Sequence, residues 1–484
     1  MMKTVRTEFT HSNILKAIGN GQNRNGCCFD QNIYVQKRTS ILSNLFHYFN
    51  KENSGTFRNK HHQLCVYMFT GQGSQHSKMF HDFHEIHPVM KSDVCKKIFF
   101  HPKSMEHMDD STILNAFKEF KFPIFDNLEI KNIENPPTSL AQPLILLQSY
   151  MLFERYIQLK HERNIHQDEQ VLCMLGHSLG EFTALTAAKG LTIEEAIYLV
   201  HERGLSMERN ITKEQEKEMA MKAIIYAPET LMNDIENNLQ YGTATEALSL
   251  RCDMANINTP KQVVLSGRVS DIDQQIQAWQ ENYKCKLRTV PLNVHLPFHS
   301  KYLKPVANDL KRTFEQIDLK NRELACPIVS NLNAKFVQNL NEMIAYSIDQ
   351  VYRPVLWNMS IRNIIKHVMS SYEGTIHLKF IEFGPQKKLE PMISQCCASI
   401  PIHEKNMTIE VAAIISTVKS GPNLAKKYYS MNGEKVRSVS NKSFKLHPNT
   451  SLVIAAKDDM KEFLGKDTQI PNAQFGDGIP QCDS

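Results

Sequence analysis

The sequence predicts an α/β fold, a large domain on a parallel sheet with a smaller ferredoxin-like subdomain inserted in it. Three observations carry this expectation. Two short apolar runs, residues 64–69 and 171–175, each stop at a glycine-punctuated turn, as strands buried on both faces do. The second run passes through Gly176-His177-Ser178-Leu179-Gly180 into the alanine-rich helical segment 181–188, a strand, tight turn and helix in succession. Between them and the later motifs, residues 219–294 read as strand (219–226), helix (229–239), strand (248–256), strand (262–267), helix (271–282) and strand (284–294), the βαββαβ order of a ferredoxin-like module.

Motif-bearing segments lie on both sides of that module, so it is expected as an insertion. The large domain then comprises residues 64–218 and 295–418. Residues 1–63 form a separate leader, and residues 419–484, rich in Lys, Asn, Ser and Gly, form a mostly disordered tail with one short structured piece near 452–464.

Composition removes several function classes. With 42% apolar and 22% charged residues, the chain is of ordinary globular type. The net charge of +5 is misleading as a nucleic-acid signature, because the leader alone carries +6 and the remainder −1. A nearly neutral body lacks the field that phosphate backbones require. The leader is basic and acid-poor, and its segment 41–49 places apolar residues on one helical face, which points to a mitochondrial presequence and a matrix location. The 11 cysteines include no CxxC pair, in keeping with a reducing compartment. The longest apolar stretch, residues 140–153, is broken by Gln142, Pro143, Gln148 and Ser149, so no membrane span is expected.

Gly176-His177-Ser178-Leu179-Gly180 has the GxSxG form of a nucleophile elbow, and the strand before it and helix after it are the context that form needs. A serine nucleophile needs a base, and His299, following the last strand of the insert, is a candidate among 20 histidines. Arg203 is a sharper clue. Thr192 and Glu195 form a capping box, and the helix they begin sets Ala196, Val200, Arg203 and Met207 on one stripe, so the guanidinium falls on an apolar face. A buried guanidinium is very costly without an anionic partner, so the readings are a salt bridge with a protein carboxylate, a stem that snorkels its charge to water, or a pair with the carboxylate of a substrate. His76, His81, His84 and His87 with Glu85 lack metal-site spacing and read as a solvated helix face.

Together these motifs resemble the malonyl-CoA:acyl carrier protein transacylase family. The resemblance spans about residues 65–418. It rests on Gly71-Gln72-Gly73-Ser74-Gln75, Gln142-Pro143, Gly176-His177-Ser178-Leu179-Gly180-Glu181 and Glu202-Arg203-Gly204, then the segment 255–267, Pro297-Phe298-His299-Ser300, Gln350 with Pro354-Val355-Leu356-Trp357, and Glu382-Phe383-Gly384-Pro385.

The family's fold is a hydrolase-like α/β domain with a ferredoxin-like insert. The resemblance implies that Ser178 is the nucleophile, His299 its base, and the main-chain carbonyl of Gln350 the group that orients His299. The N–H groups of Gln72 and Leu179 are implied as the oxyanion hole. Arg203 and Gln142 are implied to bind substrate, and Phe298 to disfavour a branched acyl group. The implied substrates are malonyl-CoA and acyl carrier protein, with no metal or organic cofactor, and a monomer is the default expectation. Thr70 departs from the family's usual proline before GQGSQ. A serine hydrolase using the same elbow and a catalytically silent scaffold are the alternatives. The lack of an evident triad acid disfavours the first, and the retention of Ser178, His299 and Arg203 together disfavours the second.

Overall fold

A computed structural model describes residues 61–100, 108–122, 136–162, 169–240, 250–400, 407–415 and 427–430. The expected presequence, apart from its last three residues, and the piece expected near 452–464 lie outside the described residues. The first half of the large domain runs through β1 (His61–Phe69), α1 (Asp93–Phe99), α2 (Asp110–Glu119), α3 (Thr138–Glu162), β2 (Glu169–Gly176), α4 (Gly180–Ala187) and α5 (Ile193–Asn210). The insert contributes β3 (Met219–Ile225), α6 (Glu229–Gln240), β4 (Asp253–Thr259), β5 (Gln262–Arg268), α7 (Val269–Asn282) and β6 (Arg288–Pro291). The second half supplies α8 (Lys304–Phe314), β7 (Ile328–Val329), β8 (Phe336–Val337), α9 (Leu340–Asp349), α10 (Trp357–Ser371), β9 (Thr375–Gly384), α11 (Glu390–Ala398), β10 (Met407–Ile415) and β11 (Lys427–Ser430).

The large sheet has the order β11-β10-β9-β1-β2-β7-β8. Its centre is parallel, with β1 between β2 and β9. Period-two alternation sends Cys65, Tyr67 and Phe69 to one core and Leu64, Val66 and Met68 to the other, which is why the run has no polar positions. One of these cores is closed by α3 and α5, the other by α10 and α11. The insert's sheet has the order β4-β5-β3-β6 with every pairing antiparallel, the ferredoxin-like arrangement.

Several expected boundaries differ. β4 begins at Asp253, because Arg251 and Cys252 form a bend. β6 spans only residues 288–291, with one further ladder bond from the Leu292 N–H to Met221 O at 2.9 Å, before a tight turn in which Val294 N–H donates to Leu292 O at 2.9 Å takes the chain away. β1 begins at His61, inside the segment assigned to the leader. The region after residue 418 contains β11, which pairs antiparallel with β10 at the sheet edge, so it is not wholly without structure.

Two devices tie the insert to the large domain. Val355 donates its N–H to Ala255 and accepts from Ile257, each at 2.9 Å, extending β4 by one bridge. On the helical side, Asn358 and Arg362 of α10 donate to the two carboxylate oxygens of Glu236 on α6 at 2.7 and 2.6 Å. Glu382 is likewise structural: its buried carboxylate accepts from the N–H groups of Lys388, Leu389 and Glu390 at the start of α11, although burial pushes it up to about 7.

The long helix α3 contains Pro143, which has no N–H for the carbonyl of Ser139 one turn earlier. His201 of α5 takes that place, donating from Nδ1 to Ser139 O at 2.8 Å, while Glu208 accepts from the Ser139 N–H at 2.8 Å. Burial lowers the pKa of His201, consistent with a neutral ring acting as a donor through Nδ1. This docking holds Gln142, one residue before the proline, against the middle of α5. Replacing His201 by Leu leaves the Ser139 carbonyl without its partner and is expected to lower unfolding stability by about 1–3 kcal/mol in urea titrations. An unchanged midpoint would show that the carbonyl is satisfied otherwise.

Candidate active site

The end of β2, the elbow and the start of α4 place Ser178 at the carboxyl edge of the parallel sheet. Its φ of 53° is left-handed, a conformation that costs a non-glycine residue about 1–3 kcal/mol and persists only where neighbours enforce it. They do so here by close backbone approach. A Cβ on Gly180 would lie 2.1 Å from the Phe69 carbonyl oxygen at the end of β1. One on Gly71 would lie 2.4 Å from the His177 carbonyl oxygen, so the Gly71–Gly73 turn is pressed against the elbow. His177 N–H also donates to Phe69 O at 3.0 Å.

His299 meets Ser178 across the cleft, with Oγ 2.6 Å from Nε2. The other ring nitrogen faces two main-chain carbonyls, Gln350 O at 2.7 Å and Arg353 O at 3.1 Å. Carbonyls only accept, so Nδ1 carries the proton and Nε2 presents its lone pair to the serine hydroxyl. Among the described residues, no carboxylate takes part in orienting the ring. Burial, and then the nearby Arg203 charge, push His299 down to about 3, so the neutral form prevails at physiological pH. His299 itself has a φ of 57°, which makes both members of the pair conformationally strained.

Arg203 lies on the buried stripe of α5 with Ala196, Val200 and Met207, and the Thr192–Glu195 capping box that begins this helix is present. It is 2% exposed, yet makes no ion pair with any carboxylate among the described residues. Its NH1 donates to Gln142 Oε1 at 2.8 Å, its Cζ lies 5.3 Å from the centre of the Phe182 ring, and its buried Nε has no partner. Burial lowers it to about 9, with the buried Glu181 partly opposing, so it remains a cation at neutral pH. Gln142 passes the contact on to Gln72 Oε1 at 3.4 Å, and Gln72 in turn donates to Thr138 Oγ1 at 3.3 Å.

The Gln72 and Leu179 N–H groups belong to the two turns that face each other at the serine. A Cβ on Gly71 would stand 3.7 Å from Leu179 N. Thr70, where the resembling family has proline, uses its N–H to donate to Phe383 O at 3.2 Å and its hydroxyl to accept from Ser74 at 3.1 Å. The strand exit is therefore held by hydrogen bonds. Phe298 packs between the large core and the inner face of the insert's sheet, immediately before His299.

Three supporting residues carry no signal that marks them individually in the sequence. Asn331 accepts from the Ser178 N–H at 2.8 Å and donates to Gly176 O at 2.7 Å, bracing both sides of the elbow. Glu181 accepts from the Asn331 N–H, the Ser347 hydroxyl and the Gln350 side chain, while burial raises it to about 7. Asn258 on β4 pairs with His177 Nε2 at 2.9 Å, joining the insert to the elbow. Asn258 and Glu181 fall within recognisable motifs, whereas Asn331 is separated from Ser178 by 153 positions.

The histidine group at 76–87 is not a helix face. The segment is a series of turns in which His76 Nε2 bonds to Pro385 O at 3.1 Å, and His87 caps a short 3-10 turn while contacting Glu154 at 2.8 Å. Among the described residues, no group of three or more His, Cys, Asp or Glu is placed to hold a metal ion. Among them, too, no helix is long and apolar enough to cross a membrane.

A strained serine hydrogen-bonded to a buried neutral imidazole defines a nucleophilic acyl-transfer site. Comparison with known proteins agrees. The profile of the acyl transferase domain family matches residues 170–432, over half of the chain, and the chain belongs to this family; it is an acyltransferase. The malonyl CoA-acyl carrier protein transacylase of Bacillus subtilis (strain 168) is 29% identical over 331 residues, 68% of this chain and 89% of that protein. The mitochondrial malonyl CoA-acyl carrier protein transacylase of Schizosaccharomyces pombe is 27% identical over 276 residues, 54% of this chain and 81% of that one. In fold, the chain is similar to the malonyl CoA-acyl carrier protein transacylase crystal structure from Burkholderia pseudomallei, with a TM-score of 0.51 at 24% identity, over 70% of this chain and 99% of the other.

Asn331→Ala removes both bonds to the elbow without touching Ser178 or His299. It is expected to reduce acyl transfer about ten- to a hundredfold while circular dichroism remains native. Full activity in this variant would mean that the glycine contacts alone hold the elbow.

Proposed function

We propose that the protein transfers the malonyl group from malonyl-CoA to the phosphopantetheine thiol of an acyl carrier protein, supplying fatty-acid synthesis. The observation that carries this reading is Arg203, a buried cation at the serine site with an unpartnered Nε and no carboxylate of the described residues paired to it. An uncompensated buried charge is costly, and an acyl group that ends in a carboxylate supplies the missing anion.

In the first step, Ser178 Oγ attacks the thioester carbonyl as His299 Nε2 takes the hydroxyl proton. The tetrahedral oxyanion is received by the N–H groups of Gln72 and Leu179. As the carbonyl re-forms, the coenzyme A thiolate leaves and takes the proton from the imidazolium. The carrier thiol then attacks the malonyl-serine ester with His299 again accepting the proton, and Ser178 leaves reprotonated. The carbonyls of Gln350 and Arg353 hold the imidazole in one tautomer throughout. Gln142 fixes the guanidinium for bidentate pairing with the malonate, and Phe298 narrows the space beside the acyl carbon. The basic leader, together with the likeness to a mitochondrial relative, supports a place in the mitochondrial matrix.

Intact mass after brief exposure to malonyl-CoA is expected to show a malonyl increment that moves to an added phosphopantetheinylated carrier protein. Release as free malonate would instead indicate a hydrolase. Ser178→Ala should show no increment, and Arg203→Ala should lose malonyl transfer at least about tenfold more than acetyl transfer. Equal losses would remove the carboxylate clamp.

The depressed His299 predicts a pH profile as well. The neutral ring is the reactive form, and a lowered pKa keeps it neutral to lower pH. The acid limb of kcat/KM assigned to this histidine should therefore lie well below the ordinary 6.5, towards about 3. A limb near 6.5 that vanishes in His299→Ala would contradict the burial argument.

A further inference from the structure

The exposed large hydrophobic side chains among the described residues are Tyr226 at 73%, Val290 at 38% and Leu292 at 36%, and all three lie on the β3–β6 side of the insert. Val290 stands opposite Ala223 and Arg288 opposite Ile225. Directly opposed residues of an antiparallel pair share a face, and Leu292 continues the alternation from Val290. These side chains therefore extend the face that carries Met221, Ala223, Ala255 and Val264, against which Phe298 packs. Phe298 immediately precedes His299, so the apolar strip runs from solvent to the catalytic histidine.

The strip has a basic border. Lys284, Lys286 and Arg288 are all exposed and make no ion pair among the described residues. The Arg288 guanidinium lies 5.9 Å from the Tyr226 ring centre, and Tyr226 holds a left-handed φ of 58° at the end of β3. β6 is also the terminal strand of its sheet. Natural edge strands are usually blunted, and clustered exposed apolar residues with a charged rim mark an interaction surface.

We infer that the β6 strip, Arg288, Val290 and Leu292 with Tyr226, is the docking surface for the carrier protein, and that it selects an acidic one. This rests on the acceptor assigned under the proposed function. Three cations in five residues provide the charge complementarity. Continuity of the strip with Phe298 gives a tethered thiol a path to Ser178. The apolar centre supplies contact, and the basic rim supplies steering and salt dependence.

The test compares one full-length enzyme with two acceptors, an acidic phosphopantetheinylated bacterial acyl carrier protein and free pantetheine. Arg288→Glu and Leu292→Asp alter exposed side chains outside the catalytic residues. Each is expected to lower kcat/KM for the carrier by about tenfold or more, chiefly through KM. Arg288→Glu should also flatten its dependence on salt. Self-acylation by malonyl-CoA and transfer to pantetheine should stay within about twofold. Equal losses with both acceptors would overturn the inference, since the strand would then act by positioning His299, and so would an unchanged carrier KM. A wild-type dimer by sedimentation that these substitutions dissociate would assign the strip to a second copy of the chain. Failure of the wild type to load any carrier would defeat the proposed function itself, a result distinct from these.

Discussion

The site depends on the backbone contact between two turns at the end of the parallel sheet. β1 and β2 are neighbours in register, so their carboxyl ends emerge side by side, and each opens into a glycine turn. The Phe69 carbonyl receives the His177 N–H and lies where a Cβ on Gly180 would collide with it. This proximity holds Ser178 in its left-handed conformation and brings the Gln72 and Leu179 N–H groups to the same side of the serine. Larger side chains at the glycines would separate the turns, and the N–H groups proposed as the oxyanion donors would part along with them.

Around that contact the remaining polar groups form one connected bracket. Asn331 spans the elbow, Glu181 gathers Asn331, Ser347 and Gln350, and the Gln350 carbonyl orients His299. A carboxylate at the third position of the relay would stabilise an imidazolium. Carbonyls do so less, and with burial and the Arg203 charge they leave His299 a weak base matched to a short serine hydrogen bond. The arrangement favours reversible ester exchange, in which the same ring must accept and return a proton in both directions.

The insert closes the site from the other side. It is anchored through the Val355 bridge and Glu236, and reaches the elbow through Asn258 and His177. Its cleft-facing sheet surface is apolar near Phe298 and becomes exposed towards β6. One small domain thus packs against Phe298 beside His299 and carries the strip inferred to receive the carrier.

Much of this was legible in the sequence because it depends on local order. Uninterrupted apolar runs mark strands covered on both faces, the βαββαβ rhythm marks the insert, and GxSxG between a strand and a helix marks the elbow. Arg203 was legible as a cation on an apolar helical stripe, a local conflict that asks for a partner. What only the tertiary structure decided are the pairings made across long separations: Asn331 with Ser178, Asn258 with His177, His201 with the carbonyl that Pro143 leaves free, and whether a protein carboxylate reaches Arg203. Periodicity reports which face of an element is buried, and local turns report where the chain bends. Neither reports which distant side chain completes a hydrogen bond, because that follows from sheet order and helix docking. For the same reason the histidines at 76–87, read from spacing as a helix face, became turns once Pro385 and Glu154 were brought beside them.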